Sequence, residues 1–154
     1  MIPEFENLSD KEKDLMFKAP ILVSILIAGA DGNIDNTERK EAIRVAESKQ
    51  SRAREALIDY YKIVGMDFEA KFNHTVGQLP SETEQRNAKI EEELTKVNDI
   101  LPKLDKIWAS KFYASLKELG KKIAESSGGI LGYLSVSYEE SKFLELRMLN
   151  DPTK

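Results

Sequence analysis

Residues 21–30 read ILVSILIAGA, and the fold depends on how the rest of the chain covers this stretch. Apolar side chains occupy nearly every position, so a helix formed here would have no polar face. Such a helix is stable in water only when other elements pack on all its sides. The apolar run, residues 19–30, is too short to cross a bilayer. We therefore expect a helix at the centre of the core and no direct insertion into a membrane.

A capping box marks the start of this helix. Ser9 and Glu12 are spaced so that the Ser9 hydroxyl can accept from a backbone N–H of the first turn while the Glu12 carboxylate reaches back. Pro20 lies within the helical pattern, where it lacks an N–H and crowds the preceding turn. We expect the helix to be kinked or split at Pro20.

Amphipathic patterns in the rest of the chain predict further helices. Ser81 and Glu84 form another capping box ahead of a polar helix. A stripe that includes Ile107, Trp108 and Phe112 predicts a long amphipathic helix. No segment has a convincing strand pattern. The helices predicted after the central one cover approximately residues 36–48, 51–64, 68–77, 82–101, 103–124 and 138–149.

These patterns predict an all-α fold. The 154 residues are expected to form a single domain, a compact bundle of about six to eight helices. Residues 1–8 and 150–154 are expected to be flexible tails. A faint similarity between residues 27–34 and residues 123–130 predicts two helix pairs related by a pseudo-twofold axis.

Composition excludes several classes of function. The net charge of −4 comes from 23 basic and 27 acidic residues spread along the chain, which argues against a nucleic-acid surface. The absence of Cys and the single His, His74, exclude disulfides, thiolate metal sites, Cys nucleophiles and sites with two imidazoles. The acidic, polar N-terminus is unlike a signal peptide. We expect a cytoplasmic location.

The most informative polar stretch is the acidic turn, residues 31–38, DGNIDNTE. It matches the second half of an EF-hand loop, whose oxygen ligands bind a hard cation such as Ca²⁺ or Mg²⁺. The first half does not match, because Ile27 and Gly29 stand where acids are needed. A bound ion would therefore keep several waters and bind weakly. The candidate metal ligands are Asp31, Asn33, Asp35 and Glu38.

The same residues also have a purely structural interpretation. Asp31 and Gly32 are a common turn pair, and Asp35 can cap the next helix with Glu38 completing a capping box. A cap of this kind contributes about 1 kcal/mol to stability, which accounts for the acids without any ion. The spacing alone leaves both interpretations open.

Residues 28–39, AGADGNIDNTER, resemble the signature of the tellurite-resistance TerB family, in which an apolar helix leads into A-D-G-x-I-D-x-x-E-R. The resemblance implies a compact helical domain with pseudo-twofold helix pairs and an acidic cluster suspected of binding a divalent cation. It places Asp31, Asp35 and Glu38 at the acidic positions. Family members occur in bacterial stress-response and tellurite-resistance gene clusters, and no established enzymatic activity comes with the family.

The second half of the family pattern is altered in this chain. Ser127 and Gly128 stand where an Asp-Gly pair is expected, which makes the chain a divergent member at most. The leading hypothesis is a non-enzymatic domain that binds a partner protein, and a divalent cation through the acidic turn. Two alternatives stay open: a metal-dependent hydrolase that uses the same carboxylates, and a protein-interaction module without metal that acts through residues 81–101.

Overall fold

The computed structural model describes residues 2–30, 34, 36–51, 55–127 and 143–153. These residues contain helices and turns and no strand, which confirms the prediction of an all-α bundle. Short 3-10 helices at Pro3–Phe5, Glu55–Leu57, Lys96–Asp99 and Leu101–Lys103 link or precede the α-helices. The α-helices are α1 (Asp10–Ala28), α2 (Asn36–Ser51), α3 (Ile58–Gly65), α4 (Phe68–Gln78), α5 (Thr83–Thr95) and α6 (Lys106–Ser127).

Helix α1 lies at the centre of the bundle, as its all-round apolar character predicts. Every residue from 19 to 30 is buried, and α1 contacts each of the other five helices. Each fully buried Leu or Ile side chain contributes about 2 kcal/mol relative to its exposure in water. The covering of α1 is therefore a large source of stability in the described part of the chain.

Helix α1 continues through Pro20 without a break, so the alternative of a split helix is wrong. Pro20 has no N–H to donate to the carbonyl of Met16, one turn earlier. The Tyr60 hydroxyl donates to that carbonyl instead, at 2.5 Å. Burial raises the pKa of Tyr60 well above its usual range, so this hydroxyl stays protonated and able to donate.

Tyr60 also joins α3 to an aromatic cluster. Its ring lies 5.5 to 6.1 Å, centroid to centroid, from the rings of Phe5, Trp108 and Phe112. Phe5 belongs to the 3-10 helix Pro3–Phe5 and is 1% exposed, and Ile2 is also buried. The prediction that residues 1–8 form a flexible tail is therefore wrong for residues 2–8, because their apolar side chains complete the core.

The side chain of Asn98 binds the C-terminal segment through two hydrogen bonds. The Asn98 amide donates to the carbonyl of Met148 at 2.8 Å and accepts from the N–H of Asn150 at 2.7 Å. Leu146 is buried with a left-handed φ of 47°. Residues 145–149 form turns, so the predicted last helix is wrong there, and residues 128–142 lie outside the described part. Residues 128–130 at the end of the second copy of the predicted repeat fall in that range.

The helix starts follow the predicted caps only in part. The Ser9–Glu12 capping box is confirmed, with both hydrogen bonds present. Helix α5 is capped one residue later than predicted, because Glu82 accepts from the N–H of Gln85 at 2.8 Å. Ile107 is 67% exposed at the start of α6, although the stripe pattern placed it inside. Among the described residues, no helix is long and apolar enough to span a membrane.

A double-mutant cycle tests the role of Tyr60. We expect Tyr60→Phe to cost about 1–3 kcal/mol, because it leaves the buried Met16 carbonyl without a donor. In a Pro20→Ala background the new N–H can donate to that carbonyl, so the same change should cost about 1 kcal/mol less. Urea denaturation followed by the fluorescence of Trp108, the only tryptophan, measures both. An equal cost of Tyr60→Phe in the two backgrounds would contradict this account.

Tyr61→Phe is the matched control for that cycle. Tyr61 shares a hydrogen bond with Ser115, which also donates to the carbonyl of Phe112. Tyr61→Phe should lower the free energy of unfolding by the same amount in the wild type and in the Pro20→Ala background.

Three substitutions distinguish the observed caps from the predicted ones. We expect Ser9→Ala and Glu82→Ala each to lower the free energy of unfolding by about 1 kcal/mol, since each side chain accepts from a backbone N–H of a first turn. Ser81→Ala should change it by less than about 0.5 kcal/mol, as is usual for an exposed position. Thermal denaturation followed by circular dichroism measures all three. A larger loss of the free energy of unfolding for Ser81→Ala than for Glu82→Ala would show that Ser81 caps α5, as the sequence predicts.

Candidate functional site

The acidic turn connects α1 to α2, as the sequence predicts, but most of its residues fall outside the described part. Asp31, Asn33 and Asp35 are among the residues that are not described. Glu38 lies in α2, and its side chain is not described. In the described ranges, no three Asp, Glu or His side chains form a group that could hold a metal ion. The predicted ligand set therefore stays a prediction.

The surroundings of the turn are well defined by residues on both sides. Helix α1 ends at Ala28, and Gly29 and Ala30 continue it as a buried turn. Ile34 is partly buried and packs against the core. Helix α2 then starts at Asn36 and buries Ala42 on its inner face. Packing thus fixes the described residues on both sides of residues 31–35, and Ile34 between them.

Two buried polar side chains of α5 hold the end of α1. Arg86 and Asn87 are 5% and 7% exposed. The Arg86 guanidinium donates to the carbonyl of Gly29, and the Asn87 amide donates to the carbonyl of Ala30 at 3.4 Å. The last carbonyls of a helix have no partner within it and carry its negative partial charge. The positive charge of Arg86 therefore complements the end of α1.

Sequence reasoning singled out neither residue, because it described the helix after Ser81 only as polar. A signal was present, since Asn87, Ile90 and Leu94 follow one another at helical spacing on the buried stripe of α5. Polar residues in line with such a stripe are expected to be buried and hydrogen-bonded. Their hydrogen-bond partners are the carbonyls of Gly29 and Ala30, 57 residues earlier, and no pattern near α5 predicts these contacts.

Gly29 is required by the close approach of Arg86. A Cβ atom at this position would lie 2.6 Å from Nη2 of Arg86 and 2.8 Å from Cγ1 of Ile34. Both distances are shorter than atoms tolerate, so any larger residue would displace the guanidinium or the apolar anchor of the turn. Packing therefore explains why a glycine stands between Ala28 and Ala30.

Asn87 carries an oxygen without a hydrogen-bond partner in the described part of the structure. Its Oδ1 is buried and accepts from no donor there. The same amide donates to the carbonyl of Ala30, directly before Asp31. A buried acceptor at this place favours a donor or a hard cation nearby, because amide oxygens are ligands of Ca²⁺ and Mg²⁺.

A groove of about 400 Å³ lies beside the turn, and we call it the Arg39 groove. Arg39 is half-buried and donates through Nη1 to Oδ1 of Asn73 at 3.0 Å. Arg86 lies in the wall. Gly77 opens the groove, since a Cβ atom there would meet nothing within 4 Å. The apolar lining consists of Ile34, Val76, Leu79 and Pro80.

The site thus combines opposite charges. The acidic turn carries three carboxylates in its sequence, while the described groove contributes two guanidinium groups. Each guanidinium reduces the attraction of the turn for a cation. His74, the only histidine, is exposed on α4 and is not in the groove lining described here.

Comparisons of the chain with protein-family models, with curated proteins and with solved structures found no match. The resemblance to the TerB family therefore rests on residues 28–39 and on the order of the helices, and it stays a prediction.

A pair of glycine substitutions tests the packing at the end of α1. We expect Gly29→Ala to cost about 2 kcal/mol or more, because it disturbs a hydrogen bond from a charged group. Gly120→Ala in α6 should be neutral or stabilising by up to about 1 kcal/mol, since its Cβ would lie an ordinary 3.4 Å from Cγ1 of Ile27. Urea denaturation measures both. Similar effects of the two changes would refute the assigned role of Gly29.

Proposed function

We propose that this chain is a non-enzymatic helical binding domain. It binds a partner protein, and it holds a divalent cation, Ca²⁺ or Mg²⁺, weakly at the acidic turn. The oxygen ligands are those of Asp31, Asn33, Asp35 and Glu38, completed by water. The resemblance to the TerB family supports the absence of catalysis, a bacterial stress-response role related to tellurite resistance, and a cytoplasmic location.

The observation that supports the proposal is the way α5 holds the start of the turn. Burying Arg86 and Asn87 costs free energy unless their polar groups are bonded, and both donate to the two carbonyls that precede Asp31. A binding loop gains precision when buried neighbours fix its first residues. The same two hydrogen bonds satisfy carbonyls at the end of α1, so they position the first residues of the turn with or without a bound ion.

Asn87 supports the cation in particular. Its buried Oδ1 lacks a donor among the described residues and lies on the amide that contacts Ala30. An oxygen of this kind lowers its free energy by facing a cation or a water bound to one. Against this, the positive charge of Arg86 weakens the site, so we expect a dissociation constant of about 10⁻⁴ M or higher.

Isothermal titration tests the cation. CaCl₂ and MgCl₂ are titrated separately into the wild type, into Asp31→Asn and into Asp35→Asn. We expect saturable heat for at least one ion with the wild type and at least about tenfold weaker binding for each variant, since each loses one carboxylate ligand. These substitutions keep the size of the side chain, so loss of binding does not follow from a packing defect.

Asp67→Asn is the matched control. Asp67 precedes α4 with a left-handed φ of 54°, and its side chain makes no capping hydrogen bond. This variant should bind as the wild type does. Saturable heat that is unchanged in Asp31→Asn and Asp35→Asn, or no heat at all with the wild type, would remove the cation from the proposal.

A further inference from the structure

We propose that the Arg39 groove binds a peptide segment of a partner protein in which acidic and apolar residues alternate. This inference rests on the proposed function in one respect, namely that the chain binds a partner protein. It assigns the place of binding and the chemistry of the partner. It does not depend on the cation.

The shape of the groove suits a short peptide. Its volume of about 400 Å³ lies in the range of ligand sites. The lining residues Ile34, Val76 and Leu79 are only partly buried, although they pack against the core. They offer apolar surface to a side chain that enters from outside. An apolar residue of the peptide would cover this surface.

The charge of the groove selects an acidic partner. The whole chain carries a net charge of −4, yet the described lining contains Arg39 and Arg86 and no carboxylate. The described lining of the groove is therefore positive, although the acidic turn adjoins it at Ile34. A peptide with Asp or Glu beside an apolar residue matches both properties, whereas a basic peptide would be repelled.

Arg39 has hydrogen-bonding capacity that a carboxylate could use after a change of side-chain conformation. Its Nη1 is bonded to Asn73, while its Nε has no hydrogen-bond partner among the described residues. The N–H groups of Nε and Nη2 point the same way and match the two oxygens of a carboxylate. Side-chain adjustment is needed to bring the buried Nε to the ligand. Arg86 keeps its hydrogen bond to Gly29 and contributes only charge.

Gly77 keeps one side of the groove open. It lies in the last turn of α4, where glycine is less favourable than alanine. Since a Cβ atom there meets nothing within 4 Å, alanine would fit without a clash. A large side chain at this position would instead extend into the open space and obstruct the groove. The position therefore provides a blocking variant that leaves the core unchanged.

The experiment measures the fluorescence anisotropy of labelled hexapeptide pools. In the acidic pool, Asp or Glu alternates with Leu, Ile, Val or Phe, and in the matched pool Asn or Gln replaces the acids. We expect the wild-type chain to bind the acidic pool at least about tenfold more tightly than the matched pool, the difference that a charge-assisted hydrogen bond provides.

Four variants locate the binding. Gly77→Trp should weaken binding of the acidic pool at least about fivefold by obstruction, and Arg39→Gln by a similar factor through loss of the charge. Gly77→Ala controls for the change in α4. Arg44→Gln controls for the loss of a cation from α2, since Arg44 is exposed and pairs with Glu41. Both controls should stay within about twofold of the wild type.

Equal binding of the two pools by the wild type, or no binding of either, would overturn the assignment of the groove. Binding that survives both Gly77→Trp and Arg39→Gln would overturn it as well. Binding of the acidic pool by Asp35→Asn but not by the wild type would overturn it too. That result would mean that the carboxylate of Asp35 itself occupies the groove. In each case a partner bound elsewhere, or a cation found by titration, would leave the proposed function standing.

Discussion

The structure depends on one constraint: an α-helix that is apolar all round must be covered on every side, and its backbone must still be fully hydrogen-bonded. The apolar side chains of α1 are covered by the five other helices. The backbone needs polar partners inside the core, because burial without a partner costs about 1–3 kcal/mol per group. Backbone carbonyls at two places on α1 therefore need a donor from a side chain. Tyr60 supplies the donor that Pro20 removes from Met16, and Arg86 with Asn87 supplies donors to Gly29 and Ala30.

Local patterns in the sequence were sufficient for the elements and for most of the core. The capping box at Ser9, the buried run of α1 and the stripe positions Trp108 and Phe112 all rest on residues close together in the chain, and all are confirmed. What failed depends on contacts between distant segments. Phe5 is buried because its ring packs against the rings of Trp108 and Tyr60. No pattern in the first residues predicts these contacts. Ile107 is a local exception: it is the second residue of α6, which begins directly after Asp105, whose side chain accepts from the N–H of Trp108.

The candidate site also has parts that local sequence patterns predict and parts that depend on contacts between distant segments. The sequence predicts a turn between two helices, and that connection is confirmed. The ligand set Asp31, Asn33, Asp35 and Glu38 stays a prediction. Arg86 and Asn87 could be placed only once α5 was seen against the end of α1, since they follow Gly29 and Ala30 by 57 residues. The role of Gly29 is visible only in the same structure, because the guanidinium of Arg86 and the side chain of Ile34 together exclude a Cβ atom there.

The two proposals also constrain each other electrostatically. Ile34 lies both within the acidic turn and in the lining of the Arg39 groove, so an ion at the turn and a peptide in the groove would be close neighbours. A bound divalent cation would offset the carboxylates of the turn, which otherwise attract the guanidinium groups and repel an acidic peptide. Each ligand would therefore strengthen the binding of the other. Since coupling between two binding equilibria is reciprocal, a partner protein that occupies the groove would raise the affinity of a turn that binds cations only weakly by itself.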